Sequence, residues 1–229
     1  MKIIECPSLN FDDRAGGQSP SMIILHYTGT KTADEARNIF CDANPSGVYG
    51  RLSPHYMIGA EAEIYQFVDE EKRAWHAGRA SWGDITDINS ASIGIEIWNT
   101  GHEFDLEDFI PAQIDAVIEL IEGICARWDI PQKNILGHSD VAPGRKLDPG
   151  EKFPWARLAE AGIGVMPNMG AIGAVAKDQF FQALKDYGYT YTDDESVLLT
   201  EFRRHFMPHL LSVDGVTDAD CAALFDISR

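Results

Sequence analysis

Three residues within one short stretch have the types and spacing to do chemistry together. His138, Lys146 and Asp148 lie in the run Gly137-His138-Ser139-Asp140-Val141-Ala142-Pro143-Gly144-Arg145-Lys146-Leu147-Asp148-Pro149-Gly150. An imidazole and a carboxylate are two of the three protein ligands of a catalytic zinc site, whose fourth position is left to water. An ammonium two residues before the carboxylate can steady a developing oxyanion. Pro143, Pro149 and three glycines argue against a regular helix or a central strand. The run therefore reads as a long, ordered loop between apolar Ile135-Leu136 and Phe153-Pro154-Trp155. A third ligand, a base and a groove must come from elsewhere.

Two apolar strand patterns can supply them. Residues 22–28 read as a buried strand ending at Gly29, with His26 near its end. Residues 92–99, Ser-Ile-Gly-Ile-Glu-Ile-Trp-Asn, alternate with period two and carry Glu96 late. Side chains alternate faces along a strand, so His26 shares a face with Ile24, and Glu96 with Gly94. If the strands are neighbours, both polar groups converge on the loop. One reading then makes His26, His138 and Asp148 the ligands, Glu96 the base and Lys146 the electrostatic stabiliser. The plainer readings are a structural strand histidine at His26, turn chemistry at His138 and Asp148, a solvated Lys146, and core packing for Trp75, Trp82 and Trp98. No compact H-E-x-x-H signature anchors a metal site.

The remaining pattern describes an α/β domain with a helical tail. A capping box, Thr32-Ala-Asp-Glu35, opens a helix to about Cys41, and residues 44–47 read as a turn. Residues 55–58 and 63–68 read as a hairpin, and 75–82 as an aromatic loop. Apolar residues at helical spacing mark a helix over 111–128, and another is expected over 155–161. Strands alternating with helices give an α/β fold. Glycines and Pro167 over 162–173 suggest a linker. Three short helical patterns follow, two of them opened by capping boxes at Thr192-Asp-Asp-Glu195 and Thr217-Asp-Ala-Asp220. The expected division is 1–165 for the catalytic unit and 174–229 for a three-helix module.

Composition narrows the partners. The 229 residues carry 19 basic and 36 acidic side chains, a formal charge of −17. Without a local basic patch, that speaks against nucleic acid. Four scattered cysteines with no C-x-x-C signal neither a zinc cage nor a redox motif. No stretch approaches transmembrane length, so no membrane partner is expected. Glu5 and Pro7 interrupt any signal-peptide core, which gives a cytoplasmic expectation, or a periplasmic one if a leader has been removed.

The chain resembles the zinc-dependent N-acetylmuramoyl-L-alanine amidases of the AmpD/AmiD type. The matching pieces are Ile-Leu-His26-Tyr-Thr-Gly, Ser-Pro-His55-Tyr, Ile-Tyr-Gln-Phe-Val, Arg-Ala-Trp75-His76-Ala-Gly, Ser-Ile-Gly-Ile-Glu96-Ile and Gly-His138-Ser-Asp with Gly-Arg-Lys146-Leu-Asp148-Pro-Gly. They run in family order over about residues 20–160. The resemblance implies a mixed central sheet flanked by helices, one Zn2+ per chain on His26, His138 and Asp148, and Glu96 and Lys146 as catalytic residues. It implies hydrolysis of the amide between N-acetylmuramic acid and L-alanine, in peptidoglycan or anhydro-muropeptides. His55, His76 and Trp82 are the expected substrate-binding residues. The segment Ala60-Glu-Ala-Glu63 departs from the family, which usually has a Gly-containing turn there. The tail more loosely resembles the three-helix peptidoglycan-binding module that follows such amidases, and its plainer role is to brace the first domain.

Muropeptide recycling is the expected setting, with envelope turnover and phage-type lysis as alternatives. Two other classes compete. A non-catalytic peptidoglycan recognition protein would show a substituted ligand or base, and here all five candidates are present. A purely structural zinc site would need a fourth protein ligand, for which His55 or His76 is the candidate.

Overall fold

The computed structural model describes residues 2–45, 50–168 and 173–229. Eight strands are β1 (Ile3–Glu5), β2 (Phe11–Asp13), β3 (Met22–Tyr27), β4 (Tyr56–Ile58), β5 (Ile64–Gln66), β6 (Lys72–Ala74), β7 (Ser92–Ile97) and β8 (Ile135–Gly137). The helices among the described residues are α1 (Ala33–Cys41), α2 (Ile88–Ala91), α3 (Pro111–Arg127), α4 (His138–Val141), α5 (Trp155–Glu160), α6 (Phe180–Tyr187), α7 (Glu195–Phe206) and α8 (Asp218–Ile227). Six strands form one sheet in the order β1-β5-β4-β7-β3-β8, and β2 pairs with β6 separately. The four strands from β4 to β8 run parallel, while β5 is antiparallel to β4. The sheet is therefore mixed, with helices on both faces, as the resemblance implied.

Alternation along the central strands decides which layer covers which face. Ile23 and Leu25 of β3, with Ile93, Ile95 and Ile97 of β7, pack under α3 and α5 through Ile114, Val117, Ile121 and Leu158. Met22 and Ile24 face the other way and join Leu136, Phe180, Leu184, Leu198, Phe202 and Leu224 in a second core. The tail helices α6, α7 and α8 thus share a core with the sheet. On that second face β7 offers only Ser92, Gly94 and Glu96, which leaves room for polar groups. In the β3–β7 register His26 lies directly beside Glu96. The expected convergence of the two strand ends is real.

Some local expectations shift. The loop over 137–150 begins with a helical turn, α4, which the prolines further along do not oppose. Thr32 caps α1 by accepting from the Glu35 N–H, and Thr217 and Asp220 form the capping box of α8. At the middle tail helix the cap is Asp194, which accepts from Ser196 and Val197, and not Thr192. The hairpin β4–β5 is present, and in its connection Ala62 adopts a left-handed φ of 62°. The expected turn over 44–47 extends into residues outside those described, as does part of the expected linker. Among the described residues no helix is long and apolar enough to cross a membrane.

Candidate metal centre

His26, near the end of β3, His138, the first residue of α4, and Asp148, ten residues on, bring one ligand atom each to within 4.8 Å of one another. His26 Nδ1 is 2.8 Å and His138 Nδ1 is 3.0 Å from the same oxygen, Asp148 Oδ2. All three side chains are buried. The loop brings Asp148 back through a hydrogen bond from the Ser139 N–H to its carbonyl, at 2.9 Å.

Hydrogen-bond direction fixes the His26 imidazole. A carbonyl only accepts, so Ser92 Oγ gives its hydrogen to the Ile88 carbonyl at 2.6 Å. Ser92 Oγ must then accept from His76 Nε2, at 3.2 Å. A neutral His76 has a bare Nδ1, which accepts from His26 Nε2 at 3.0 Å. Burial, with His26 next to it, holds His76 well below the ordinary histidine value, so it is neutral. His26 is brought down to about 4 by burial and by His138. Its Nδ1 lone pair therefore points at Asp148. His138 Nε2 lies 2.9 Å from the Ala77 carbonyl and 3.3 Å from the Arg145 guanidinium, and its Nδ1 faces the same carboxylate oxygen.

Burial pushes the Asp148 carboxyl up, but the two imidazoles, His138 first, bring it far below its usual value, so it is ionised. Two imidazole nitrogens and a carboxylate oxygen thus converge in a buried site, a donor set that could hold a metal ion. Two imidazoles and a carboxylate suit zinc chemistry, and the relay through His76 and Ser92 sets the tautomer of His26.

These residues sit at the floor of a cleft of ≈ 570 Å³ whose lining also includes Glu96, His76, Arg145, Lys146 and, from α1, Ile39 and Phe40. Glu96 Oε2 is buried with no hydrogen-bond partner among the described residues. Burial, then Asp148, raises the Glu96 carboxyl well above its ordinary value, and Lys146 opposes them. An unpartnered carboxyl with raised proton affinity, open to a cleft, is equipped to take and return a proton.

Of the three expected substrate-binding residues, the structure places only His76 on the cleft. His76 lines the cleft, but both of its nitrogens are engaged, with His26 and Ser92. His55 is fully buried behind it. Its Nδ1 accepts from the Gly94 N–H, and its Nε2 lies 3.1 Å from Arg14 and 3.0 Å from the Lys72 carbonyl. Burial and then Arg14 bring His55 down to about 3. Trp82 is buried in the core shared with the tail, its ring against Tyr187 and Tyr189. Neither His55 nor Trp82 is part of the cleft lining, and neither His55 nor His76 has a nitrogen free to close the metal site.

Three contributors escaped the sequence reading. Ser92 lies on the Glu96 face of β7, so alternation alone could have found it. Gly94 is needed there because a Cβ would lie 2.4 Å from the His76 ring. Ala77 acts through its main-chain carbonyl, which leaves no side-chain signal.

The N-acetylmuramoyl-L-alanine amidase family profile matches residues 16–151. The chain is 32% identical to N-acetylmuramoyl-L-alanine amidase AmiD of Escherichia coli K12, over 97% of this chain and 88% of that protein. It is 32% identical to 1,6-anhydro-N-acetylmuramyl-L-alanine amidase AmpD of Citrobacter freundii, over 66% of this chain and 86% of that protein. The structure of AmpDh3 from Pseudomonas aeruginosa in complex with anhydromuramic pentapeptide superposes with a TM-score of 0.76 at 32% identity, covering 93% of this chain and 92% of that one.

Proposed function

The chain belongs to the N-acetylmuramoyl-L-alanine amidase family, and from that premise we propose that it is a zinc hydrolase. Its reaction is cleavage of the amide between N-acetylmuramic acid and L-alanine, in muropeptides or peptidoglycan. The observation that carries this reading is the convergence of His26 Nδ1, His138 Nδ1 and Asp148 Oδ2 in a buried site, the donor set of a catalytic zinc. A zinc ion held there would supply Lewis acidity toward a water and toward the amide carbonyl.

The chain's own groups do the rest. Glu96 Oε2 takes the proton of the attacking water and returns it to the departing alanine nitrogen. Lys146, on the cleft wall, places a positive charge where the carbonyl oxygen becomes an oxyanion. His76 and Ser92 hold His26 in the required tautomer. The engaged nitrogens of His55 and His76 leave the fourth direction open, which favours an enzyme over a closed structural site. The recognition-protein alternative would show a substituted ligand or base, and residues of the required types stand at all five candidate positions. For the three-helix tail the family likeness suggests affinity for peptidoglycan.

The test pairs metal content with turnover. One zinc per chain, chelator-sensitive release of peptide from muropeptides, and a Glu96→Ala variant that keeps its zinc while kcat falls roughly 10²–10⁴-fold are expected. Tight muropeptide binding without cleavage would favour the recognition protein instead.

A further inference from the structure

The residue that joins the tail to the metal centre is Asp140, two positions after His138. It is buried, and its carboxylate accepts three hydrogen bonds. The Gly137 N–H reaches Oδ2 at 2.7 Å, from the peptide unit just before His138. The other two donors come from the tail. His205 Nδ1 of α7 reaches Oδ2 at 2.7 Å, and the Tyr189 hydroxyl, just past α6, reaches Oδ1 at 2.5 Å.

Neither tail donor is free to turn away. The His205 ring stacks on Trp155 with centroids 3.8 Å apart and planes at 17°. The Tyr189 ring packs edge-on against Trp82 at 4.9 Å, and Trp82 in turn fills the space beside Gly188 where a Cβ would lie 2.3 Å from it. A second tether runs in parallel. Arg204, next to His205, pairs with Glu151, which accepts from His102 at 3.1 Å, and Tyr27 beside ligand His26 bonds His102 at 3.0 Å.

We propose that Tyr189 and His205 are positioning residues of the metal centre: they lock the Asp140 carboxylate, which fixes the entry of the chain into α4 and so the aim of His138 Nδ1. Trp82 then serves the site from behind, by locking Tyr189. This rests on His138 being a metal ligand.

The experiment measures zinc affinity of the full chain by competition with a chromogenic chelator, well below the unfolding temperature. The chains compared are wild type, Tyr189→Phe, His205→Ala, His205→Asn and Leu184→Ala. Tyr189→Phe and His205→Ala are expected to weaken zinc about 10-fold or more, in line with other residues that orient metal ligands. His205→Asn, whose amide can replace the Nδ1 donor, should recover most of the affinity. Leu184→Ala disturbs the tail core without touching Asp140. It should lower the melting temperature and leave zinc affinity unchanged.

Wild-type zinc binding with unaltered affinity in Tyr189→Phe and His205→Ala would overturn the proposal and spare the ligand assignment. The same holds if Leu184→Ala loses zinc equally, since the effect would then be general stability. A wild-type chain that binds no zinc would overturn the ligand assignment itself, and this proposal with it.

Discussion

Around His26 the tolerance is set by a missing side chain. A Cβ on Gly94 would stand 2.4 Å from the His76 ring, so Gly94→Ala must push that ring off the sheet. His26 Nε2 would lose its acceptor and with it the tautomer that aims Nδ1 at the proposed metal position. Zinc affinity is expected to fall about 10–100-fold, as for lost outer partners of other ligands, and chelator competition reads it. Ser92→Ala, which removes only the last acceptor of the relay, should cost less. Of the residues involved, His26 and Glu96 were legible because two apolar strands carry them at matching late positions. His138, Lys146 and Asp148 were legible because one loop concentrates them. The roles of His55 and Trp82 were not legible. A buried histidine and a groove histidine look alike in sequence, and only the Arg14 and Gly94 contacts tell that His55 is internal. Asp140 reads as part of a turn until the tail supplies its donors.

Among the elements, the β4–β5 hairpin carries the clearest local cost. Ala62 sits at φ 62°, a conformation that costs an L-residue roughly 1–2 kcal/mol. Ala62→Gly releases that strain and adds unfolded-state entropy worth about 0.4–1 kcal/mol. The net expectation is a gain of about 0.5–1 kcal/mol, seen as a melting temperature higher by about 1–4 °C with activity unchanged. Helices were legible where pattern and cap agree, as at α1 and α8, or where the apolar stripe is long, as at α3. Three-residue strands such as β1, β6 and β8 were not, because so few residues carry no period. Thr192 failed as a cap because Asp194 offers a carboxylate two residues closer to the helix.

Taken as a whole, the molecule holds buried charge whose protonation should tune its stability. Burial raises Glu201 on α7 to about 7 despite Arg204, with Asp140 and Glu151 adding to the rise. The folded state then binds a proton that the unfolded chain gives up near 4.5, so this contribution is present in full below 4.5 and is lost as pH rises through 7. The cost above pH 7 is on the order of 3 kcal/mol. Glu201→Gln should therefore be more stable than wild type in denaturant at pH 8, with the difference vanishing near pH 4.5. On the acid side His55, held neutral to about 3, acts in the opposite sense. Its contribution is present above 6.5 and declines as pH falls toward 3, so wild-type stability should peak between the two.

The sheet order carries a consequence in time. Strand β3 lies between β7 and β8, so its second neighbour comes more than a hundred residues after it, and His26 and Asp148 are separated by 122 positions. At ordinary rates of synthesis the first ligand leaves the ribosome about 6–24 s before the last. Until β8 is made β3 has at least one unpaired edge, the kind that invites pairing with a foreign strand. Completion of the candidate metal site is thus among the last events in the birth of each molecule, and β3 has to be sheltered until β8 arrives.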